Sequence, residues 1–301
     1  MAPCLLAWSQ PRPTRCGRGH TCGSAAPAGA TLADLSVPRS NCMPALTFAT
    51  RRTAVFVVLL GVVALVGTNA RASDVYDAAV AHAGRSSDDL KRDSLDHPAD
   101  LLRLAGIKPG MRVADFLAAD GYYSELLSYI VGPRGHVLLI NNGAYDHWSD
   151  NAWQQRLANG RLPNVEHRTM EVEHLDMPDH SLDAVLLIKV YHDLYWVATE
   201  GPWPKMDPNL VLNEIARTVK PGGVLLLVDH SAKPGTGAAD AGRIHRIDEE
   251  YARRDFEKHG FTLVAKSDVL RRPDDPRELI TYKGPMVGKT DRFVMVLRKQ
   301  R

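Results

Sequence analysis

The feature that most constrains the fold is an alternation that begins after Pro109. Strand-length runs take turns with amphipathic segments of helical period. The strand signals read "MRVADFLA" (111–118), "HVLLINN" (136–142), "VEHRTMEV" (165–172), "LDAVLLIKVYH" (182–192), "GVLLLVDH" (223–230), "FTLVAKSDVL" (261–270) and "DRFVMVLRK" (291–299). Helical signals fall over 122–131, 150–159, 209–219 and 248–260. Lys220-Pro221-Gly222-Gly223 reads as the turn closing the third of these, and Gly260 as a C-cap. Strands alternating with helices predict an α/β fold: an open seven-stranded, mostly parallel sheet with helices on both faces. The last two strands look like a hairpin with a long loop, so the final strand is expected to run antiparallel. Ahead of this unit, residues 73–109 read as polar and helical, with "DHPADLLRLAGI" supplying an apolar face.

The front of the chain is different in kind. Over the whole sequence 37 Lys and Arg nearly balance 35 Asp and Glu. Residues 1–72, however, hold seven arginines, no lysine and a single acid, Asp34, which leaves the body at about −4. A mildly acidic body gives no electrostatic case for binding nucleic acid. All four cysteines (Cys4, Cys16, Cys22, Cys42) also precede residue 43, so the body has no disulfide, thiolate nucleophile or cysteine metal site. Arg51-Arg52, the run "TAVFVVLLGVVALVG" and Ala70-Arg71-Ala72 before Ser73 have the order of a cleaved secretory signal. The run is short for a membrane span, which needs about 20 residues. The expected division is a disordered leader or over-extended start over 1–42, a signal peptide over 43–72, and a periplasmic or secreted domain over 73–301. Paired arginines also leave a twin-arginine route open.

In an open α/β sheet, ligands sit outside the carboxyl ends of the strands. The residues to watch are therefore Asp115 to Gly121, Asn141-Asn142, Glu171, Tyr191-His192-Asp193 and Asp229-His230. His192 titrates in the range a general base needs, and Asp193 could orient it or take the role itself. Adjacent strand residues point to opposite faces, so one of the pair is expected to face the site. His230 is a second candidate of the same kind. The stretch "SAKPGTGAADAGRIHRIDEE" offers a small-residue lid. In it His245 and Arg246 are candidates for an anionic substrate group, Tyr191 for a further substrate contact, and Asp248 for a helix-capping acid. The twelve histidines form no i, i+4 helical pair, so no metal is expected.

"GIKPGMRVADFLAADGYYSELL", "GHVLLIN", "LDMPDHSLDAVLL" and "EIARTVKPGGVLLLVDH", in that order, resemble a class I S-adenosylmethionine-dependent methyltransferase over about residues 86 to 299. "VYHDLYW" and "HRIDEE" are similar to a subgroup of bacterial predicted methyltransferases. The resemblance implies S-adenosylmethionine as cofactor and methyl transfer to a small-molecule acceptor. In the family's acid-x-Gly-x-Gly-x-Gly loop, Asp115 matches the acid and Gly121 the last glycine, while Leu117 and Ala119 stand where the first two glycines belong. Leu117 either packs under the loop or fills the methionine pocket. Asn141 occupies the place of the ribose-binding acid, Glu171 that of the adenine-edge contact, and Val172 would pack on the ring. Two rivals remain: a non-catalytic binding module that keeps the fold, and a nicotinamide oxidoreductase, which the missing G-x-G-x-x-G disfavours.

Overall fold

A computed structural model describes residues 74–198 and 203–301. The expected leader and signal segments, residues 1–72, lie outside the described residues. In chain order the elements are α1 (Val75–Val80), α2 (Ser87–Asp96), α3 (Pro98–Ala105), β1 (Arg112–Phe116), α4 (Tyr122–Val131), β2 (His136–Asn141), α5 (Gly143–Trp148), α6 (Trp153–Leu157), β3 (Val165–Thr169), β4 (Leu182–Ile188), α7 (Pro208–Thr218), β5 (Val219–His230), α8 (Ala241–Ile244), α9 (Glu249–Lys258), β6 (Phe261–Ser267) and β7 (Arg292–Lys299).

The seven strands form one open sheet in the order β3-β2-β1-β4-β5-β7-β6. β1 through β5 pair in parallel, and β7 runs antiparallel to both β5 and β6. The order reverses beside β1, where β2 lies on one side and β4 on the other, and a crevice opens at such a point. Alternate residues of the central strands enter two separate apolar layers. Phe116, Ile140, Leu187 and Leu227 pack with α7 and α9 on one face. Val113, Val137, Leu186 and Leu226 pack with α3 and α4 on the other. Burial on both faces is why these strands read as continuous apolar runs.

Local signals set most of the boundaries. Gly121 enters the left-handed region (φ 80°) just before α4, and Asp207 caps α7 through Asn209 N–H with Pro208 at its first turn. Asp248 caps α9. Four segments depart from the sequence expectation. The ten-residue helix predicted over 150–159 shrinks to α6, because Asp150, Asn151 and Asn159 all adopt positive φ. The second strand signal runs through Asn142, but Asn142 instead caps α5, accepting from Tyr145 N–H. Lys220–Gly223 is drawn into β5 as a bulge, the register slipping between Leu182 and Ala184. β4 stops at Ile188, where Lys189 turns left-handed (φ 63°), and His192–Tyr195 form a 3₁₀ turn rather than strand. Among the described residues no helix is long and apolar enough to cross a membrane.

Candidate active site

The loop after β1 lies at the carboxyl edge of the sheet. Its backbone is left-handed at alternate positions: Leu117 (φ 53°), Ala119 (φ 54°) and Gly121 (φ 80°). These are the three places where the resembled family keeps glycine, and the conformation survives two side chains that disfavour it. Hydrogen bonds fix the loop from the neighbouring strand. Ala118 N–H donates to Ile140 C=O at 3.1 Å, and Ala119 N–H to Asn141 Oδ1 at 2.9 Å. A side chain at Gly121 would be strained by its left-handed backbone (φ 80°), and its Cβ would meet Leu139 Cδ1 at 2.5 Å unless that side chain moved.

The Leu117 side chain is fully buried in the apolar cluster that holds Phe116, Leu138 and Ile140. Ala119 is half-buried against the same cluster. Asp115 is buried below the loop, accepting from Ser124 Oγ at 2.7 Å. Burial raises its pKa to about 7, against the opposing pull of the Ser124 hydrogen bonds.

Asn141 is fully buried, and its amide is engaged with the protein. Besides accepting from Ala119 N–H, its Nδ2 donates to Ala119 C=O (3.0 Å) and to Asp146 Oδ1 (2.7 Å). Asp146 also accepts from Thr169 Oγ1 and pairs with His167. The carboxylate near this strand end is thus Asp146, one helical turn further on. Glu171 is exposed and lines an open concavity of about 600 Å³ with Arg168, Thr169, Met170, His174 and Asp176. Val172 is buried in the same layer as Leu117.

A second group gathers after β4. His192 is held by Asp229, which accepts from both the His192 backbone N–H (2.8 Å) and ring Nδ1 (2.7 Å). The other ring nitrogen, Nε2, lies 3.3 Å from Asp193 Oδ1 and 3.3 Å from His245 Nδ1. Asp193 Oδ2 accepts from the Tyr145 hydroxyl at 2.6 Å. The 3₁₀ turn explains why His192 and Asp193 both enter one cluster: adjacent residues need not diverge there as they would on a strand. Burial lowers the His192 pKa, but the Asp193 and Asp229 carboxylates outweigh it and bring it up to about 9. Asp193 is shifted the other way: burial raises its pKa, and His192 together with hydrogen bonds from His245 and Tyr145 lowers it by more.

The other candidate side chains go elsewhere. Tyr191 is fully buried and donates to Asp255 of α9 at 2.7 Å. Arg246 is fully buried in a two-pronged ion pair with Asp275 and also donates to the Ser231 and Leu279 carbonyls. His230 bonds Thr290 Oγ1 through Nδ1; burial first, then the nearby His192 charge, keeps its pKa well below the usual histidine range. Asp248 accepts from Gly235 N–H (2.6 Å) and Glu250 N–H (2.9 Å), tying the small-residue loop to α9. Sequence reasoning misses Tyr145 and Asp146 because α5 hides behind "NNG"; the asparagine N-cap was the available signal.

The strand order, the reversal beside β1 and the left-handed loop define the class I S-adenosylmethionine-dependent methyltransferase fold, and S-adenosylmethionine is the cofactor of that class. Comparison with known proteins agrees. A family model described as "Methyltransferase domain" matches residues 129–227. The ubiquinone/menaquinone biosynthesis C-methyltransferase UbiE of Ectopseudomonas mendocina is 31% identical over 136 residues, covering 44% of this chain and 47% of that protein. Its counterpart from Vibrio campbellii is 30% identical over 129 residues, covering 42% and 44%. The chain spans less than half the length of these curated relatives. A crystal structure of a SAM-dependent methyltransferase from Aquifex aeolicus shares the fold, with a TM-score of 0.50, 23% identity, and coverage of 69% of this chain and 92% of that one. Residues 129–227 thus match a methyltransferase-domain model, on a chain that has the fold of that class.

Proposed function

We propose that the chain is an exported enzyme that transfers a methyl group from S-adenosylmethionine to a small-molecule acceptor at the carboxyl edge of its sheet. The observation that carries this reading is the left-handed backbone at positions 117, 119 and 121. Holding leucine and alanine there costs roughly 1–2 kcal/mol each, and strain of this kind is characteristic of sites with a use for it. The residues fit the cofactor in backbone shape, and Gly121 keeps the close helix–strand approach that the loop needs. Loop 117–121 would hold the cofactor's methionine side, with Asn141 and Asp146 near the ribose and Glu171 and Val172 at the adenine. When bound, the cofactor supplies an electrophilic methyl on a sulfonium.

The chain's own residues then provide alignment. Tyr191 and Arg246 are committed to Asp255 and Asp275, so an acceptor's polar group meets His192, Asp193 and His245 first. An aromatic wall stands beside them: Trp196 lies 4.8 Å from His245 and 4.9 Å from Trp203, which lies 4.9 Å from Tyr145. Such a wall suits a flat, weakly polar acceptor, in keeping with the quinone-pathway names of the relatives. Isothermal calorimetry of S-adenosylmethionine against the full chain tests the reading. Saturable binding is expected. No heat of binding from folded protein overturns it and leaves the non-catalytic binding module.

Export to the periplasm or medium rests on Arg51-Arg52, the apolar run and Ala70-Arg71-Ala72. N-terminal sequencing of the native protein is expected to begin at Ser73; a start upstream of Met43 refutes both cleavage and the over-extended start.

A further inference from the structure

We propose that His192 Nε2, Asp193 Oδ1 and His245 Nδ1 form a site for one divalent transition-metal ion of the zinc class, with a coordination position left open. Among the described residues these are the one group of three His, Cys, Asp or Glu side chains whose ligand atoms converge in this way. The three atoms make a nearly equilateral triangle: Nε2 to Nδ1 is 3.3 Å, Nε2 to Oδ1 is 3.3 Å, and Nδ1 to Oδ1 is 3.3 Å.

That edge length suits a tetrahedral centre. At metal–ligand distances of about 2.0–2.1 Å, a tetrahedral centre sets neighbouring donors about 3.3–3.4 Å apart. An octahedral magnesium at similar distances needs about 2.9 Å, and calcium takes six to eight oxygens. Two imidazoles and one carboxylate are also the donor set of zinc-class ions rather than of hard cations. Three protein ligands, in a body without cysteine, match the open arrangement of reactive sites rather than the closed four-ligand arrangement of structural ones.

The surroundings orient each ligand. The His192 Nδ1 faces Asp229 at 2.7 Å and keeps its proton there, so Nε2 is the ring nitrogen turned toward the triangle, where a metal ion would displace the second proton of the imidazolium. Asp229 is completely buried and further fixed by the His192 and His230 backbone N–H groups. The second oxygen of Asp193 is held by Tyr145. His245 reaches the triangle from a left-handed backbone (φ 54°) at the end of α8, with its ring set edgewise against Trp196 and Tyr282. A strained non-glycine residue that delivers a ligand atom is the kind of outlier associated with function.

The test uses full-length protein stripped with a chelator and titrated with Co(II) alone. One equivalent is expected to give the intense visible absorption of tetrahedral cobalt without a thiolate charge-transfer band. His245→Ala should abolish that absorption, Asp229→Asn should weaken cobalt affinity about 10–100-fold, and the exposed His147→Ala should leave it unchanged. X-ray absorption of the zinc-loaded wild type, which depends on no variant, should show only nitrogen and oxygen neighbours at about 2.0 Å. A flat titration, a sulfur shell from the cysteines of residues 1–42, or cobalt absorption that persists in folded His245→Ala overturns the proposal and leaves a purely hydrogen-bonded cluster. Calorimetry with S-adenosylmethionine fails or succeeds separately from all of these readouts.

Discussion

Two of the loop residues with positive φ should respond to glycine in opposite directions. Ala119 and Leu117 both pay for a left-handed backbone, at roughly 1–2 kcal/mol each. Glycine removes that cost, while giving back about 0.5–1 kcal/mol through the freer unfolded chain. For Ala119→Gly the only further loss is one half-buried methyl, so the net should lie between no change and about 1 kcal/mol of stabilisation. Leu117 adds a different quantity. Its side chain is 1% exposed, and emptying such a position costs about 2–5 kcal/mol, of which the relieved strain returns only part. Leu117→Gly should therefore destabilise by about 0.5–5 kcal/mol. Urea unfolding followed by far-UV circular dichroism, with equal m-values required, measures both. Destabilisation of Ala119→Gly by more than about 1 kcal/mol, or an unchanged Leu117→Gly, would refute the argument that backbone strain and core packing separate at these two positions.

Arg246→Met should cost about 3–5 kcal/mol because it strands the buried Asp275 carboxylate. The double substitution with Asp275→Leu should recover part of this in the same unfolding assay, and no recovery would contradict a paired origin. Asp115 sets a pH dependence. Its folded pKa is raised to about 7, so the stability it contributes is fully present below about 3.8 and is lost as pH rises through 7. Across that window the stability difference between Asp115→Asn and wild type should move in favour of the variant, by up to about 1.4 kcal/mol per pH unit. A difference that stays flat from pH 4 to 8 would remove the assignment.

The sheet and its helices are legible in the sequence because their causes are local. Helix α4 spans the stretch the period marked, Tyr122 to Val131, since a left-handed glycine precedes it and its apolar residues recur at helical spacing. The strands are legible as apolar runs because both faces are buried, and the antiparallel β7 follows from the closing pair. The resemblance likewise points to the loop at 117–121, since the acid and the last glycine keep their places. Side-chain partners were not legible, because they are set by distance in space. Asn141 could not be seen to spend its amide on Ala119, 22 residues earlier, nor Arg246 on Asp275, 29 residues later. Helix α5, which brings Tyr145 to Asp193, hides in a three-residue cap. The triangle of His192, Asp193 and His245 joins residues up to 53 positions apart, two from a 3₁₀ turn that follows β4 and one from a strained helix end. Hydrophobic period and capping act over a few residues and can be read along the chain. The direction of a polar side chain depends on which buried partner satisfies it, and only the packed sheet brings those partners together.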